Sequence, residues 1–274
     1  RLGPGPTMTI GFHTEILGDG HPLFLLHGFT GDTTTMWPLG LHLTDRRTVI
    51  AVDLPGHGRT GAPEDPYHYR FDHTVDALAD LAGLLGHDRV DLLGYSMGGR
   101  MALGLAVRHP DLVRSSVLIG ATAGIMSDAE RGIRRRTDDE LAEEILATGI
   151  EAFVEYWMAL PLFASQERLG PDALAEAKEQ RLGNDPDGLA GSLRGAGSGN
   201  QPSLWRELPQ VVGPVLLVVG DEDAKFRSIA IRMMAGLATA EIAVLPEAGH
   251  AAHLENQPAA IDAITDFLDR VDGL

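Results

Sequence analysis

The sequence contains no cysteine, few aromatic residues and little positive charge. The absence of cysteine among 274 residues excludes disulfide bonds and thiolate metal sites. Lysine and arginine number 22 against 39 aspartates and glutamates, so the formal net charge is −17. Nucleic acids and anionic membrane surfaces would be repelled by this charge, and we expect neither as a partner. An anionic substrate would require a locally positive pocket.

Long hydrophobic runs are also missing. No segment approaches the roughly 18 consecutive apolar residues of a membrane span, and the first sixteen residues lack the apolar core of a secretory signal. Met8 is a candidate natural start, with 1–7 as an upstream remnant. We therefore expect a cytoplasmic protein, as a monomer or small homo-oligomer. The length suits one large α/β domain with an insertion.

Short apolar runs alternate with helical patterns along most of the chain. Strands are predicted at 8–16, 22–28, 47–53, 89–95, 115–121, 214–220 and 240–246. Helices are predicted at 71–85, 97–108, 228–237 and 258–270. The central strands are apolar throughout, which is typical of parallel strands covered on both faces. The pattern predicts an α/β fold with a doubly wound, mostly parallel sheet.

The alternation stops between residues 122 and 205. This segment has helical patterns and a Gly/Ser-rich stretch at 188–203, but no strand signal. We interpret 122–205 as a helical cap, or lid, over the carboxyl ends of the strands, where α/β proteins bind ligands. The predicted core domain is then made of 1–121 and 206–274.

The segment GYSMG at 94–98 matches the nucleophile elbow G-x-S-x-G. Its place after an apolar strand and before a helical pattern favours a catalytic Ser96 over a glycine-rich packing turn. Arg100 follows one turn later, where the helix dipole disfavours a cation. A cation in this unfavourable position beside a catalytic residue suggests a function, such as binding a carboxylate. The alternative for Arg100 is an ion pair with a surface acid.

An elbow serine needs a base and an acid, in the chain order Ser, Asp, His. His250, after the last strand, is the predicted base, and His253 is its competitor. Asp223 is the predicted acid, with Asp221 as the alternative and Glu222 between them. These residues all follow strands of the predicted sheet, so their side chains are expected to meet at one edge.

Two N–H groups should form an oxyanion hole. We predict the N–H of Met97, directly after the serine, and the N–H of Phe29 in the loop after the second predicted strand. The loop at 53–60 is expected to support this site, with His57 as a structural residue.

Together these motifs resemble the α/β-hydrolase superfamily across essentially the whole chain. HGFTGDTTTMW, DLPGHG, GYSMGGR, GNQPSLW, GDEDAKF and AGHAAHLEN further resemble the 2-succinyl-6-hydroxy-2,4-cyclohexadiene-1-carboxylate synthase family of menaquinone biosynthesis. The resemblance implies an α/β-hydrolase fold and a lyase without metal or organic cofactor. Ser96, activated by His250 and Asp223, would remove a proton α to a carbonyl of a substrate bearing several carboxylates, and pyruvate would be expelled.

The resemblance also implies substrate-binding residues. Besides Arg100, it points to Tyr95, Arg135, Trp157 and Arg181. Taken alone, the basic cluster that contains Arg135 fits a charged helix face, and one of its neighbours could take the binding role. Trp157 could equally pack within the cap, and Tyr95 could simply line the turn.

Three classes of function remain open from the residues alone. A carboxylesterase that hydrolyses small esters through a serine acyl-enzyme would use the same triad as the lyase. A non-catalytic binding protein of this fold would not need an intact triad. The predicted substrate-binding arginines are the feature that separates the lyase from the esterase.

Overall fold

A seven-stranded sheet forms the centre of the structure, a computed structural model that describes residues 10–273. The strands are β1 (Thr14–Leu17), β2 (His21–Leu26), β3 (Arg47–Val52), β4 (Val90–Tyr95), β5 (Val113–Ile119), β6 (Val215–Gly220) and β7 (Ala240–Leu245). Their order is β1-β3-β2-β4-β5-β6-β7. β1 is antiparallel to β3, and all other neighbouring pairs are parallel. The predicted doubly wound, mostly parallel sheet is confirmed.

Helices cover both faces of the sheet. One layer contains α2 (Phe71–Leu84), α3 (Met97–Arg108) and α7 (Ala224–Gly236), and the other contains α1 (Thr33–Gly40), α8 (Ala252–Glu255) and α9 (Gln257–Asp272). Successive strand residues point to opposite faces. In β2, Phe24 and Leu26 therefore join one hydrophobic core, whereas Leu23 and Leu25 join the other.

The segment between β5 and β6 is helical. It contains α4 (Asp128–Met158), a 3-10 segment (Pro161–Leu169), α5 (Gly170–Leu182) and α6 (Pro186–Ala196). Gly149 breaks α4 with a φ of 83°. α4 and α6 share a small hydrophobic core of their own. Within the described residues, 122–205 holds no strand, and the division of the chain into core and cap domains stays a prediction.

Helix α6 was not predicted, because its sequence is rich in glycine. Asp185 caps it by accepting hydrogen bonds from the N–H groups of Asp187 and Gly188. A Cβ on Gly191 would lie 2.5 Å from the Tyr69 ring. The small residues that weaken the helical signal are thus required for close packing of α6 on the core.

Three other elements, β1, α1 and α7, differ from the prediction. The first strand begins at Thr14, whereas 8–16 was predicted, and Met8 lies outside the described residues. α1 was missed; it is short, contains Pro38 and begins at a capping box formed by Asp32. α7 begins at Ala224, four residues before its predicted start, because the Asp223 carboxylate accepts from the Phe226 N–H and caps the helix.

A buried ion network closes the opposite end of the sheet from the elbow. Asp91 of β4 is fully buried and pairs with Arg47 of β3 and Arg114 of β5. Asp272 of α9 pairs with the same two arginines. The network thereby links three strands to the last helix.

Among residues 10–273, no single helix is long and apolar enough to cross a membrane. Asp128–Met158 and Pro161–Leu182 meet the requirement only as a pair, with a bend of 78° between them.

Candidate active site

Ser96 lies on a sharp turn between β4 and α3. Its φ of 49° and ψ of −103° are unusual for a residue with a side chain, and such a conformation costs about 1–3 kcal/mol. Its neighbouring glycines are required by contact: a Cβ on Gly98 would lie 2.2 Å from the Leu26 carbonyl oxygen, and one on Gly94 would lie 2.4 Å from that of Gly98. The turn has the geometry of the nucleophile elbow.

Ser96, His250 and Asp223 form a hydrogen-bonded chain. The Ser96 Oγ lies 3.1 Å from His250 Nε2, and His250 Nδ1 lies 2.9 Å from Asp223 Oδ2. With the proton on Nδ1, His250 donates to the carboxylate and can accept the serine proton at Nε2. The His250 ring packs against Phe226, with centroids 4.4 Å apart. The arrangement is that of a serine-based acid–base triad.

The two other acids after β6 have different partners. Asp221 accepts a hydrogen bond from the Ala248 N–H at 3.2 Å. Glu222 forms a two-bond ion pair with Arg168 of the 3-10 segment, at 2.6 and 2.7 Å. Of the three acids, the structure therefore brings only Asp223 to the histidine.

His253 packs beneath the site instead of facing the serine. Its buried ring lies 4.5 Å from the Tyr95 ring, between centroids. Burial lowers its pKa to about 3, with the nearby His250 as a second cause. Burial also raises the pKa of Tyr95. Both side chains are neutral at physiological pH and support the triad from one side.

The predicted oxyanion donors lie on both sides of the serine. Met97 is the first residue of α3, and Phe29 follows β2, so both lie at the sheet edge that carries Ser96. Both residues line the cavity described below. Within residues 10–273, neither the Phe29 N–H nor the Met97 N–H donates to a protein acceptor. Both N–H groups thus remain available to an oxygen of a ligand.

A buried histidine pair holds the Phe29 loop. His27 Nε2 accepts from the Leu54 N–H at 2.9 Å, so its Nδ1 carries the proton and donates to the Gly28 carbonyl oxygen at 2.7 Å. Burial lowers the pKa of His27. The His57 ring packs between His27 and Phe29, and burial lowers its pKa to about 3. These neutral rings act as structural supports for the loop.

A cavity of about 580 Å³ opens onto the triad and extends beneath the cap helices. Its volume suits a small organic molecule. Phe29, Tyr95, Ser96, Met97 and His250 line one part of it. Among the described residues that line it, one is acidic, Glu130, and five are cationic: Arg100, Arg134, Arg181, Lys225 and Arg232.

Arg100 is buried, with 8% of its surface exposed. Its Nη1 donates to the Ala196 carbonyl oxygen at 2.8 Å and to Gln201 Oε1 at 3.3 Å. Gln201 is itself fixed, because its Nε2 donates to the Thr122 carbonyl oxygen. Burial lowers the pKa of Arg100 to about 10, so it remains charged at neutral pH. The carboxylate that raises its pKa, Asp138, is itself paired with Arg134, and within the described chain Arg100 donates only to neutral acceptors, which argues against the surface-acid alternative.

Arg181 and Trp157 line the same cavity and have unused donors. Arg181 Nη1 donates to the Ala177 carbonyl oxygen at 2.7 Å, and burial lowers its pKa. Its Nε and the Trp157 Nε1 are buried and have no acceptor among residues 10–273. The Trp157 ring also packs edge-on against Phe29 at 5.2 Å. Trp157 thus packs against Phe29 and contributes to the cavity wall.

The prediction for Arg135 requires a correction. Arg135 is exposed and is not part of the cavity wall, and its backbone packs against Gly199. Its neighbour Arg134 lines the cavity, with its Nε on the Asp138 carboxylate at 2.7 Å. Successive residues of a helix point about 100° apart, so only one of the two can face inward. The sequence indicated a basic cluster on this helix, but it did not show which arginine of the cluster faces the cavity.

Two further cations at the cavity were not singled out from the sequence. Lys225 is the second residue of α7, two residues after Asp223, and Arg232 lies two turns later. The Arg232 guanidinium lies over the Trp205 ring, 4.6 Å from its centroid. Spacing along a helix could have suggested that both share a face, but only the fold shows that this face meets the cap.

Comparison with known proteins agrees with this geometry. The family model of the α/β hydrolase fold matches residues 21–257. A Bacillus subtilis protein, provisionally named a 2-succinyl-6-hydroxy-2,4-cyclohexadiene-1-carboxylate synthase, is 40% identical over 90% of this chain and 89% of its own length. The synthase of that name from Enterobacter is 32% identical, covering 88% of each chain.

Solved structures give the same grouping. The structure of MenH from S. aureus is similar with a TM-score of 0.90 at 32% identity, covering 95% of this chain and 98% of that chain. Esterases are also among the structural relatives. The chain belongs to the α/β hydrolase fold family and, within it, to the 2-succinyl-6-hydroxy-2,4-cyclohexadiene-1-carboxylate synthases.

Proposed function

We propose that this enzyme is a lyase that eliminates pyruvate from 2-succinyl-5-enolpyruvyl-6-hydroxy-3-cyclohexene-1-carboxylate, in menaquinone biosynthesis. The observation that carries the proposal is the positive cavity in a protein of net charge −17. Hydrolysis of a small neutral ester does not require five cations beside the triad. A substrate with several carboxylates does, because each carboxylate must replace its hydration with charged hydrogen bonds.

The buried arginines favour a ligand that is itself charged. A buried cation without a counter-ion costs several kcal/mol in real proteins. In the part of the chain that the structure describes, Arg100 donates only to neutral acceptors, and the Arg181 Nε is buried without an acceptor. A bound carboxylate would offset this cost. The names of the similar proteins, which are carboxylate synthases, support the same class of substrate.

The triad would act as a base in this reaction. His250 takes the Ser96 proton, and the serine oxygen removes the proton α to the succinyl carbonyl. The electron pair of the broken C–H bond moves to the carbonyl oxygen, and the N–H groups of Phe29 and Met97 stabilise that enolate. Collapse of the enolate breaks the C–O bond to the enolpyruvyl group. The departing pyruvate enolate then takes the proton that His250 holds, which restores the triad, so the reaction consumes no water.

Ester hydrolysis is the second candidate, because the same serine and the same oxyanion hole would serve an acyl-enzyme. Solved esterases of similar structure favour it. The purified enzyme should be supplied with the cyclohexene substrate and, separately, with short p-nitrophenyl esters. A lyase should release stoichiometric pyruvate from the cyclohexene substrate and should hydrolyse the p-nitrophenyl esters slowly. Brisk ester cleavage without pyruvate would overturn the lyase proposal.

A further inference from the structure

Glu255 occupies a buried position next to the base of the triad. It ends the short helix α8, five residues after His250, and only 2% of its side chain is exposed. Its two carboxylate oxygens are used separately. Oε2 accepts from the Gly249 N–H at 2.7 Å, and Oε1 accepts from the Ala251 N–H at 3.1 Å. The carboxylate therefore accepts from the N–H groups of the residues before and after His250.

Hydrogen bonds to the N–H groups of both neighbouring residues fix the backbone orientation of His250. The direction of the His250 ring depends on this orientation, and its two hydrogen bonds require that both Ser96 and Asp223 be in reach. A carboxylate can accept both bonds at once. An amide in its place would offer one acceptor, and its NH₂ group would face the second N–H.

The cap also contacts this loop. Arg168 of the 3-10 segment binds Glu222 and lies 3.9 Å from Glu255. A Cβ on Gly249 would lie 2.1 Å from the Ser165 Oγ, so the 3-10 segment packs directly on the loop of the base. The Arg168 charge offsets part of the cost of burying the Glu255 carboxylate.

We propose that Glu255 is a positioning residue, which holds His250 in line with Ser96 and Asp223 through the two flanking N–H groups. This proposal rests on the catalytic role of the triad proposed above, but not on which reaction the triad performs. Misplacement of a catalytic group by about 1 Å can cost on the order of 100-fold in rate. Glu255 should therefore affect the chemical step more than substrate binding.

The test compares Glu255→Gln with Glu247→Gln, which removes an exposed carboxylate from the same loop. Pyruvate release gives kcat and KM, and a fluorophosphonate gives the labelling rate of Ser96 independently of the substrate. For Glu255→Gln we expect kcat and the labelling rate to fall about 10- to 100-fold, with KM within about 3-fold. For Glu247→Gln both rates should stay within about 2-fold of wild type.

Both rates within about 2-fold of wild type in folded Glu255→Gln would overturn the proposal, as would a loss confined to KM. If Glu255→Gln does not fold, Glu255→Asp decides: it keeps the charge but is too short to reach both N–H groups. A roughly 3- to 10-fold loss of the labelling rate is expected for it, and a wild-type rate would overturn the proposal. Wild-type protein that is labelled but forms no pyruvate would contradict the proposed function and leave this comparison valid.

Discussion

Arg100 lies in the first turn of α3, one turn from the serine, and is buried against neutral acceptors. The position is unfavourable for a cation because of the helix dipole and the loss of water. Gln201 holds the guanidinium by accepting from it while donating to Thr122. Arg100 is thus fixed in place before any ligand binds, which reduces the conformational entropy that its side chain loses on binding.

Replacing Arg100 with methionine should separate the two candidate reactions. We expect Arg100→Met to lower kcat/KM for the multiply charged substrate by roughly 10- to 100-fold, because a charge-assisted hydrogen bond contributes about 1.5–3 kcal/mol. Hydrolysis of a neutral ester should change less than about 3-fold. Steady-state kinetics on both substrates measures this, with exposed Arg89→Met as the control. Equal losses on both substrates would indicate a damaged elbow and contradict the binding role.

The two ends of the sheet carry different groups: the candidate catalytic residues lie at one end and a buried ion network lies at the other. Ser96, Asp223 and His250 all follow the carboxyl ends of strands. The amino ends of β3 to β5 carry the buried network around Asp91 instead. In this kind of fold, ligands bind at the carboxyl ends, and the network is therefore expected to affect folding alone.

Removal of the Asp91 carboxylate should destabilise the protein strongly. Asp91→Ala leaves Arg47 buried with only Asp272 as a carboxylate partner, and breaking a buried ion pair costs about 3–5 kcal/mol. Asp269→Ala breaks the exposed pair with Arg46 and should cost about 0–1 kcal/mol. Urea unfolding measures both free energies. KM of the folded Asp91 variant should remain unchanged, and a cost near that of Asp269→Ala would show that the network is dispensable.

The sequence predicted the elements with strong patterns and missed those that depend on contacts. The central strands and the elbow follow from apolar runs and glycine spacing, and they appear as predicted. α6 was hidden by glycines that serve its packing on Tyr69. Arg134 could not be chosen over Arg135, because the register of a helix face depends on the neighbours against which it packs. Glu255 was missed since its partners are backbone groups, which leave no sequence signal.

At the scale of the whole molecule, charge and burial are unevenly distributed. The protein carries −17 overall, yet the cavity wall is cationic. The cap contributes Arg134 and Arg181 to this wall, and the core contributes Arg100. Cap residues also hold the oxyanion loop, since Asn184 Nδ2 donates to the Thr30 carbonyl oxygen at 2.9 Å. Residues of 122–205 and residues of the rest of the chain thus both contribute to the cavity and to its surroundings.

Three buried histidines make the fold sensitive to acid. Burial lowers the pKa of His27, and lowers those of His57 and His253 to about 3, whereas histidine in an unfolded chain titrates near 6.5. Between about pH 6.5 and 3, the unfolded chain therefore binds protons that the folded protein does not. Their contribution to stability is complete above pH 6.5 and is lost as the pH falls.

We expect the free energy of unfolding to fall as the pH drops below about 6, by roughly 1 kcal/mol per pH unit for each of His57 and His253. Urea unfolding at pH 7, 6 and 5 measures the slope. His253→Phe keeps an apolar ring beside Tyr95 and should remove one histidine's share of the slope. An unchanged slope in this variant would show that His253 is protonated in the folded protein.

We propose that Ser96 acts as the base in pyruvate release from a substrate held by the cavity cations. The rate of pyruvate formation by Ser96→Ala tests this role. Substrate binding is followed separately by the tryptophan fluorescence of the protein, to which Trp157 in the cavity wall contributes. If Ser96 is the base, substrate binding should stay within a few-fold of wild type and the rate should fall by about 10³-fold, as expected for loss of a general base. Pyruvate formation within about 10-fold of the wild-type rate would contradict this role.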